Sequence, residues 1–416
     1  MNLERDRIRS LAVDLHGRRA GIITRLGGER YLFDFEQDYI DDASRPTLSL
    51  SFKGQTGGLV TTVRPVARNL PAFFSNLLPE GHLRAYLAQK AGVKPEPEFF
   101  LMAILGSDLP GAVLIKPLDR EGHGIDDAYA TGDRDDEQEP RKEVLRFSLA
   151  GVQLKFSAVI EACGGLTIPA QGIGGSWIVK LPSIQYPSVP ENEFLMLELA
   201  RAIGIQVPQI RLVPVADIQG LPRDAARLKG DALAVERFDR AGDRHMHMED
   251  FAQVFGLFPD EKYERRSYAN IAAVLWAETG HTGTYEFMRR LVFSVLIGNG
   301  DMHLKNWSLL YPDTRTPVLA PAYDFVSTLP YIPDDRLALT FGGSRSLDEI
   351  TLDQVRRFTE TAHLPMKPVW EIVRQTVEQT VAAWKTLGHK DLISADTLKI
   401  IGSHIDKVAA NTEKQT

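Results

Sequence analysis

Cysteine is nearly absent. Cys163 is the only one in 416 residues, so no intramolecular disulfide and no multi-cysteine zinc site can form. Such usage fits a reducing compartment, and a cytoplasmic location is the expectation. The opening residues, Met1-Asn-Leu-Glu-Arg-Asp-Arg7, are charged and lack an apolar signal core. No run approaches the ~18 uninterrupted apolar residues of a membrane span, so no membrane partner is expected. Neither G-x-G-x-x-G nor G-x-x-x-x-G-K-[ST] occurs, which removes the two commonest glycine-rich phosphate cradles. Internal repeats are also missing. The net charge of -7 argues against a free-standing nucleic-acid binder.

What remains is ordinary globular material, 44% hydrophobic and 25% charged, long enough for two or three units. Ile8 to Val13, Ala20 to Thr24, Tyr31 to Phe35 and Thr47 to Phe52 read as short strands. Leu70 onward carries helical spacing interrupted at Pro79, followed by a helix over Phe99 to Ile104 and a strand over Gly111 to Ile115. From Asp119 to Glu143 apolar residues nearly vanish, which marks a solvated linker. Beyond it the character is α/β. Arg146 to Val159 reads as strand, turn, strand, and Trp177 to Leu181 as a strand carrying one charge. Pro190 to Gly204 is an amphipathic helix with early carboxylates. Two more strands, Ile210 to Val215 and Ala232 to Phe238, precede a mostly helical remainder from Met248. There Val369, Val373, Val377, Val381 and Trp384 share one helix face, and Leu398, Ile401, Ile405 and Val408 share another.

Chemistry concentrates in Leu296-Ile-Gly-Asn-Gly-Asp301-Met-His303-Leu-Lys305-Asn306, a polar loop between apolar runs. Asp301 and Asn306 stand at the spacing kinase catalytic loops use for the residue that accepts the hydroxyl proton and for a metal ligand. Asp324, at the end of a further apolar segment, stands where a kinase places its principal Mg²⁺ ligand. Lys180 on its strand suits a phosphate-binding lysine, although a snorkelling edge lysine has the same pattern. Glu193 is its expected partner, with Glu191 competing. Glu236, Arg237 and Phe238 end the strand that should cross to the helical lobe, where backbone groups can meet adenine. The phosphate loop falls on Ser148 to Lys155, with Gly151 as its one glycine. His303 can be a metal ligand, a base or a residue that shapes the loop. His245-Met-His247 is read as surface loop, and Cys163, beside two glycines, as inert.

In order along the chain these segments resemble the HipA family of bacterial toxin kinases. The likeness rests on Phe73-Phe-Ser-Asn-Leu-Leu-Pro-Glu-Gly81, Ser148-Leu-Ala-Gly-Val-Gln-Leu-Lys155, Ile178-Val-Lys-Leu-Pro182 and Glu191-Asn-Glu193. It continues through Ala234-Val-Glu-Arg-Phe-Asp-Arg240, Met248-Glu-Asp-Phe251, Gly300-Asp-Met-His-Leu-Lys-Asn306 and Pro321-Ala-Tyr-Asp-Phe325. Eight motifs in the right order span most of the chain. One departure is Leu154, where some relatives carry Glu.

The resemblance implies an α+β, two-lobed protein-kinase-like fold of the lipid-kinase-related branch. Its expected parts are a β-rich N-terminal subdomain (1–118), the acidic linker (119–143), a nucleotide-binding lobe (144–240) and a helical lobe with the catalytic loop (241–416). It implies Asp301 as catalytic base, Asn306 and Asp324 as Mg²⁺ ligands, and Lys180 on the phosphates. ATP would be met by Gly151, Val152, Gln153, Leu154, Lys155, Lys180, Glu236, Arg237, Phe238, His303, Lys305 and Tyr323, and Ser148 would be autophosphorylated. It further implies a serine/threonine kinase toxin acting on an aminoacyl-tRNA synthetase, commonly the glutamyl one. The expected partner is a small helix-turn-helix antitoxin (HipB-like) that connects the toxin to DNA. A small-molecule or lipid kinase, or a silent repressor subunit, are the competing readings.

Overall fold

The computed structural model describes residues 8–81, 84, 88, 94, 97–119, 124, 155–160, 166–168, 175–222, 225–242 and 244–414. Ser148, Gly151, Val152, Gln153, Leu154, Cys163 and nearly all of the acidic segment 119–143 lie outside the described residues.

The N-terminal body is an antiparallel sheet of β1 (Ser10–Leu15), β2 (Arg18–Leu26), β3 (Arg30–Phe35), β4 (Val66–Ala67) and β5 (Val113–Leu118), in the order β4-β3-β2-β1-β5. Alternation along β3 buries Tyr31, Phe33 and Phe35 on one side. Three helices close that side: α1 (Gln37–Asp41), α2 (Ala72–Ser75) and α3 (Glu98–Leu105). Phe33, Phe35, Phe52, Phe73 and Phe74 form a chain of ring contacts with centroids 4.7–6.1 Å apart. Such pairs each add roughly 1 kcal/mol beyond the area they bury.

One expected strand is not there. Thr47 to Phe52 ends in a 3₁₀ turn over Leu50–Phe52. The Ser49 hydroxyl accepts from the Ser51 amide at 3.1 Å, and the distant Glu249 carboxylate accepts from the Leu50 amide at 2.9 Å. Both backbone donors are thereby drawn away from any ladder.

The second body is a six-stranded sheet of β6 (Lys155–Ile160), β7 (Leu166–Thr167), β8 (Trp177–Lys180), β9 (Ile210–Pro214), β10 (Ile218–Gln219) and β11 (Asp231–Glu236), in the order β10-β7-β6-β8-β11-β9. Helix α4 (Val189–Ala202) packs Leu195, Met196 and Leu199 into the same core as Leu233 and Val235 of β11. A two-residue ribbon, β12 (Arg240–Ala241) with β13 (Arg244–His245), leads out of this sheet.

The third body follows. Strand β14 (His247–Asp250) runs into the short helix α5 (Phe251–Val254), closed by a reciprocal cap between Asp250 and Gln253. Helix α6 (Tyr268–Leu296) breaks at Gly280, and β15 (Ser308–Tyr311) and β16 (Val318–Leu319) complete a small sheet with β14. Helices α7 (Leu352–Ala362), α8 (Met366–Thr386) and α9 (Ala395–Glu413) finish the chain, with Val369, Val373, Val377, Ile401, Ile405 and Val408 buried as their spacing requires.

The remainder from Met248 is mostly helical as expected, with a non-helical stretch between 320 and 351 where Pro321, Pro330, Pro333 and the Gly342-Gly343 pair interrupt any repeating pattern. One further expectation needs correction: His245-Met-His247 is not a surface loop. His247 pairs across β14–β15 with Tyr311, its ring stacks on that tyrosine at 5.3 Å, and its Nε2 bonds the Leu48 carbonyl at 2.8 Å. It is fully buried because β14 is the seam between the N-terminal sheet body and the helical body. Among the described residues, no helix is long and apolar enough to cross a membrane.

Candidate active site

Lys180 closes β8 with its neighbour Val179 facing the sheet core, so the lysine points to the opposite face. Lys155 of β6 is its direct cross-strand partner. Two ammonium groups side by side repel, and the site places acid between and beside them. Asp324 accepts from Lys155 at 3.1 Å and from Lys180, and Lys180 also donates to Glu193 of α4. Two cations and two anions balance. Burial alone would strip the proton from Lys180, yet Asp324 and Glu193 hold its pKa above the ordinary lysine value. Burial raises Glu193, whereas Lys155 and Lys180 overcome the burial of Asp324 and hold it well below the carboxylate range. Glu193, not Glu191, is therefore the partner of Lys180. One oxygen of Glu191 is buried without a hydrogen bond, and burial raises its pKa.

Helix α6 leads into the Asp301 loop. At Gly298 (φ +67°) a Cβ would stand 2.3 Å from Leu329 Cδ1, and at Gly300 it would stand 2.1 Å from Asp335 Oδ2. Glycine is the only residue both places accept. Between them Asn299 is fully buried; its Oδ1 accepts from the Asp301 amide at 3.0 Å and its Nδ2 donates to the Asp324 carbonyl at 3.3 Å. One side chain thus ties the Asp301 loop to the Asp324 segment. Asn306 Nδ2 donates to the Asp301 carbonyl at 2.8 Å, which leaves its Oδ1 as a hard donor. Asp301 faces solvent and accepts from the Tyr263 hydroxyl at 2.7 Å. Packed polypeptide raises its carboxyl above the ordinary value, and the Tyr263 bond and Lys262 oppose the rise.

The remaining candidates divide. His303 is buried with Nδ1 unbonded, packed edge-on against Tyr263 at 5.0 Å, and burial drives its pKa down to about 3. A neutral imidazole in that setting shapes the loop. Lys305 does not reach toward Asp324: its ammonium lies 2.8 Å from Glu80 and 3.1 Å from the Asn76 carbonyl, both in the N-terminal body. Tyr323 donates to the Lys305 carbonyl at 2.9 Å, accepts from Ser308 and packs on Phe238 at 5.6 Å. In the crossover, the Glu236 amide is bonded to Gln209 and the Arg237 amide to Ser176. The Arg237 guanidinium is engaged by Asp108 and Asp239, so its side chain serves the seam with the N-terminal body.

Asn299, Tyr263 and Glu80 carry no mark in the sequence reading. The signal for Asn299 lies in its two flanking glycines, Gly298 and Gly300, which hold the loop close to Leu329 and Asp335. Tyr263 and Glu80 reach the loop from far along the chain. No group of three or more His, Cys, Asp or Glu able to hold a metal occurs among the described residues. The oxygens of Asn306 and Asp324 suit a hard ion that keeps water and phosphate as its other ligands, as Mg²⁺ does.

Comparison with known proteins agrees with this architecture. The HipA N-terminal domain profile matches residues 11–116, and the HipA-like C-terminal domain profile matches residues 147–384. The provisionally named kinase Y4dM of Sinorhizobium fredii is 50% identical over 96% of this chain and 97% of its own. The serine/threonine-protein kinase toxin HipA of Shewanella oneidensis is 26% identical over 72% of each chain. Among solved structures, the complex of Shewanella oneidensis HipA, HipB and operator DNA contains a chain that superposes with a TM-score of 0.70 at 21% identity, covering 97% of each. The fold is that of HipA, and the chain belongs to the HipA family.

Proposed function

We propose that this protein is an ATP-dependent serine/threonine-protein kinase and the toxin of a type II toxin–antitoxin pair. The observation that carries the reading is the meeting of Lys180, Glu193 and Asp324 beside a loop that turns Asp301 to solvent. Lys180, held by Glu193, would place its charge on the ATP phosphates, with Lys155 as a second cation. Asn306 and Asp324 would hold Mg²⁺, which neutralises charge on the β- and γ-phosphates. The backbone of Glu236 to Phe238 would meet adenine. Asp301 takes the proton of an acceptor hydroxyl while that oxygen bonds the γ-phosphorus and the β–γ bridging oxygen leaves with ADP.

Family membership supports an aminoacyl-tRNA synthetase, the glutamyl one first, as the protein substrate, and autophosphorylation at Ser148 as the control. The fold shared with a HipA chain solved beside HipB and operator DNA supports a helix-turn-helix antitoxin partner, with DNA reached through it. The test is wild type against Asp301→Asn, incubated with γ-labelled ATP, Mg²⁺ and a cell lysate. Wild type should label one protein band and arrest growth, with both effects lost in the variant. Label appearing in a lipid or metabolite, or growth arrest that survives Asp301→Asn, would overturn the reading.

A further inference from the structure

We infer that Glu80, from the N-terminal body, is a positioning residue of the catalytic loop, so that the phosphotransfer site is incomplete without that body. The inference rests on the kinase reading above and goes beyond it. Glu80 belongs to the Phe73 to Gly81 motif, to which no role in the chemistry has been given. Its two carboxylate oxygens take two ammonium groups: Lys262 at 2.7 Å and Lys305 at 2.8 Å. Lys262 lies 182 positions later in the chain, and Lys305 sits inside the loop itself. Asn76 of the same motif completes the anchor. It is buried, accepts from Lys305 through its carbonyl at 3.1 Å, and donates to the Leu257 carbonyl at 2.8 Å.

Both lysines lead to the reacting groups. Lys305 precedes Asn306, whose amide nitrogen holds the Asp301 carbonyl. Lys262 precedes Tyr263, whose hydroxyl holds the Asp301 carboxylate and whose ring packs on His303. The Leu304 amide also donates to the Lys262 carbonyl at 3.2 Å, so the 262–263 segment and the loop move as one piece. Burial would raise Glu80, but Lys305 and Lys262 bring it down to about 2, so the carboxylate is charged throughout the working range. Glu80 touches no reacting atom and acts through these two lysines.

The distinguishing test uses the full-length chain with MgATP and casein as a generic acceptor, comparing wild type, Glu80→Gln, Glu80→Ala and Asp301→Asn. Neutralising Glu80 takes from Lys262 and Lys305 the anion that ties both to the N-terminal body, leaving Lys305 with Asp250 at 3.8 Å. Misplacing the loop should reduce kcat roughly 10- to 100-fold while KM for MgATP stays within about twofold. Hydrogen exchange over 299–307 should quicken in Glu80→Gln at an unchanged melting temperature. Wild-type kcat and wild-type exchange over 299–307 in both Glu80 variants, with Asp301→Asn inactive, overturn this inference alone. No transfer by wild type overturns the kinase reading instead, full transfer by Asp301→Asn removes Asp301 as the base, and unchanged exchange over 299–307 in either case also removes the role of Glu80.

Discussion

Glu249 predicts an unusual pH dependence of stability. Its carboxyl is fully buried at the seam, where it accepts from Ser49 Oγ at 2.5 Å, from the Leu50 amide at 2.9 Å and from the Tyr311 hydroxyl. Among the described residues no cation is paired with it. Burial outweighs these three donors and, with Asp250 adding to it, pushes the pKa from 4.5 up to about 7. The folded state therefore prefers the protonated acid. Stability from this site is complete below about pH 4.5, falls as pH rises toward 7, and stays low above it. A gap of about 2.5 units corresponds to ~3 kcal/mol at ~1.36 kcal/mol per unit. Glu249→Gln keeps the shape and most of the hydrogen bonds but cannot ionise. Melting followed at pH 5 and pH 8.5 should show the variant close to wild type in acid and more stable in base. At ~1 °C per kcal/mol for a chain of this length the difference in base is roughly 3 °C. An equal difference between variant and wild type at the two pH values would refute the reasoning, because it would mean that Glu249 does not change its charge in the folded protein.

Two further substitutions address the nucleotide site. Lys180→Met removes the central cation and leaves Glu193 buried without its partner; breaking a buried pair costs ~3–5 kcal/mol. The expected result is a lowered melting temperature and MgATP affinity reduced at least about tenfold by calorimetric titration, and unchanged affinity would remove Lys180 from the phosphates. Ser148→Asp imitates part of the roughly -1.5 to -2 charges of a phosphoserine. It should weaken nucleotide binding by repulsion from the ATP phosphates, whereas affinity equal to wild type would discard Ser148 as an off switch.

What could be seen in the sequence depended on how local its cause was. The strands of the N-terminal sheet and the faces of the last two helices show because period-2 and period-3.6 burial are written into neighbouring residues. Lys180 stands out as a candidate because it closes a strand, and Asp301, Asn306 and Asp324 because their spacing is that of a kinase catalytic loop and its metal ligands. Thr47 to Phe52 reads wrongly because its fate is decided by Glu249, about two hundred positions away, which takes the Leu50 amide out of any ladder. His247 reads wrongly for the same reason: a polar tripeptide looks solvated until the Leu48 carbonyl and the Tyr311 ring close over it. The family resemblance implies Lys305 on ATP, and only the fold brings Glu80 and Asn76 to it.

The long-range contacts share one property that bears on function. Asp108 of the N-terminal body meets Arg237 and Arg240 at 3.2 and 3.0 Å, and Asp239 meets the same two arginines. All four side chains are nearly buried, two of each sign. A buried quartet of this kind contributes little net stability, because desolvation cancels most of the attraction. Its effect is geometric, since the fixed fork of a guanidinium accepts its partners in few orientations. Arg237 lies in the crossover whose backbone is proposed to meet adenine, so the orientation fixed here is that of the nucleotide hinge. Glu80 does the same for the Asp301 loop. Two separate polar anchors from the N-terminal body, Asp108 and Glu80, therefore fall on parts of the other two bodies that are proposed to work on the nucleotide and the acceptor. A body added only to bind a partner would have no physical need to place its charges there.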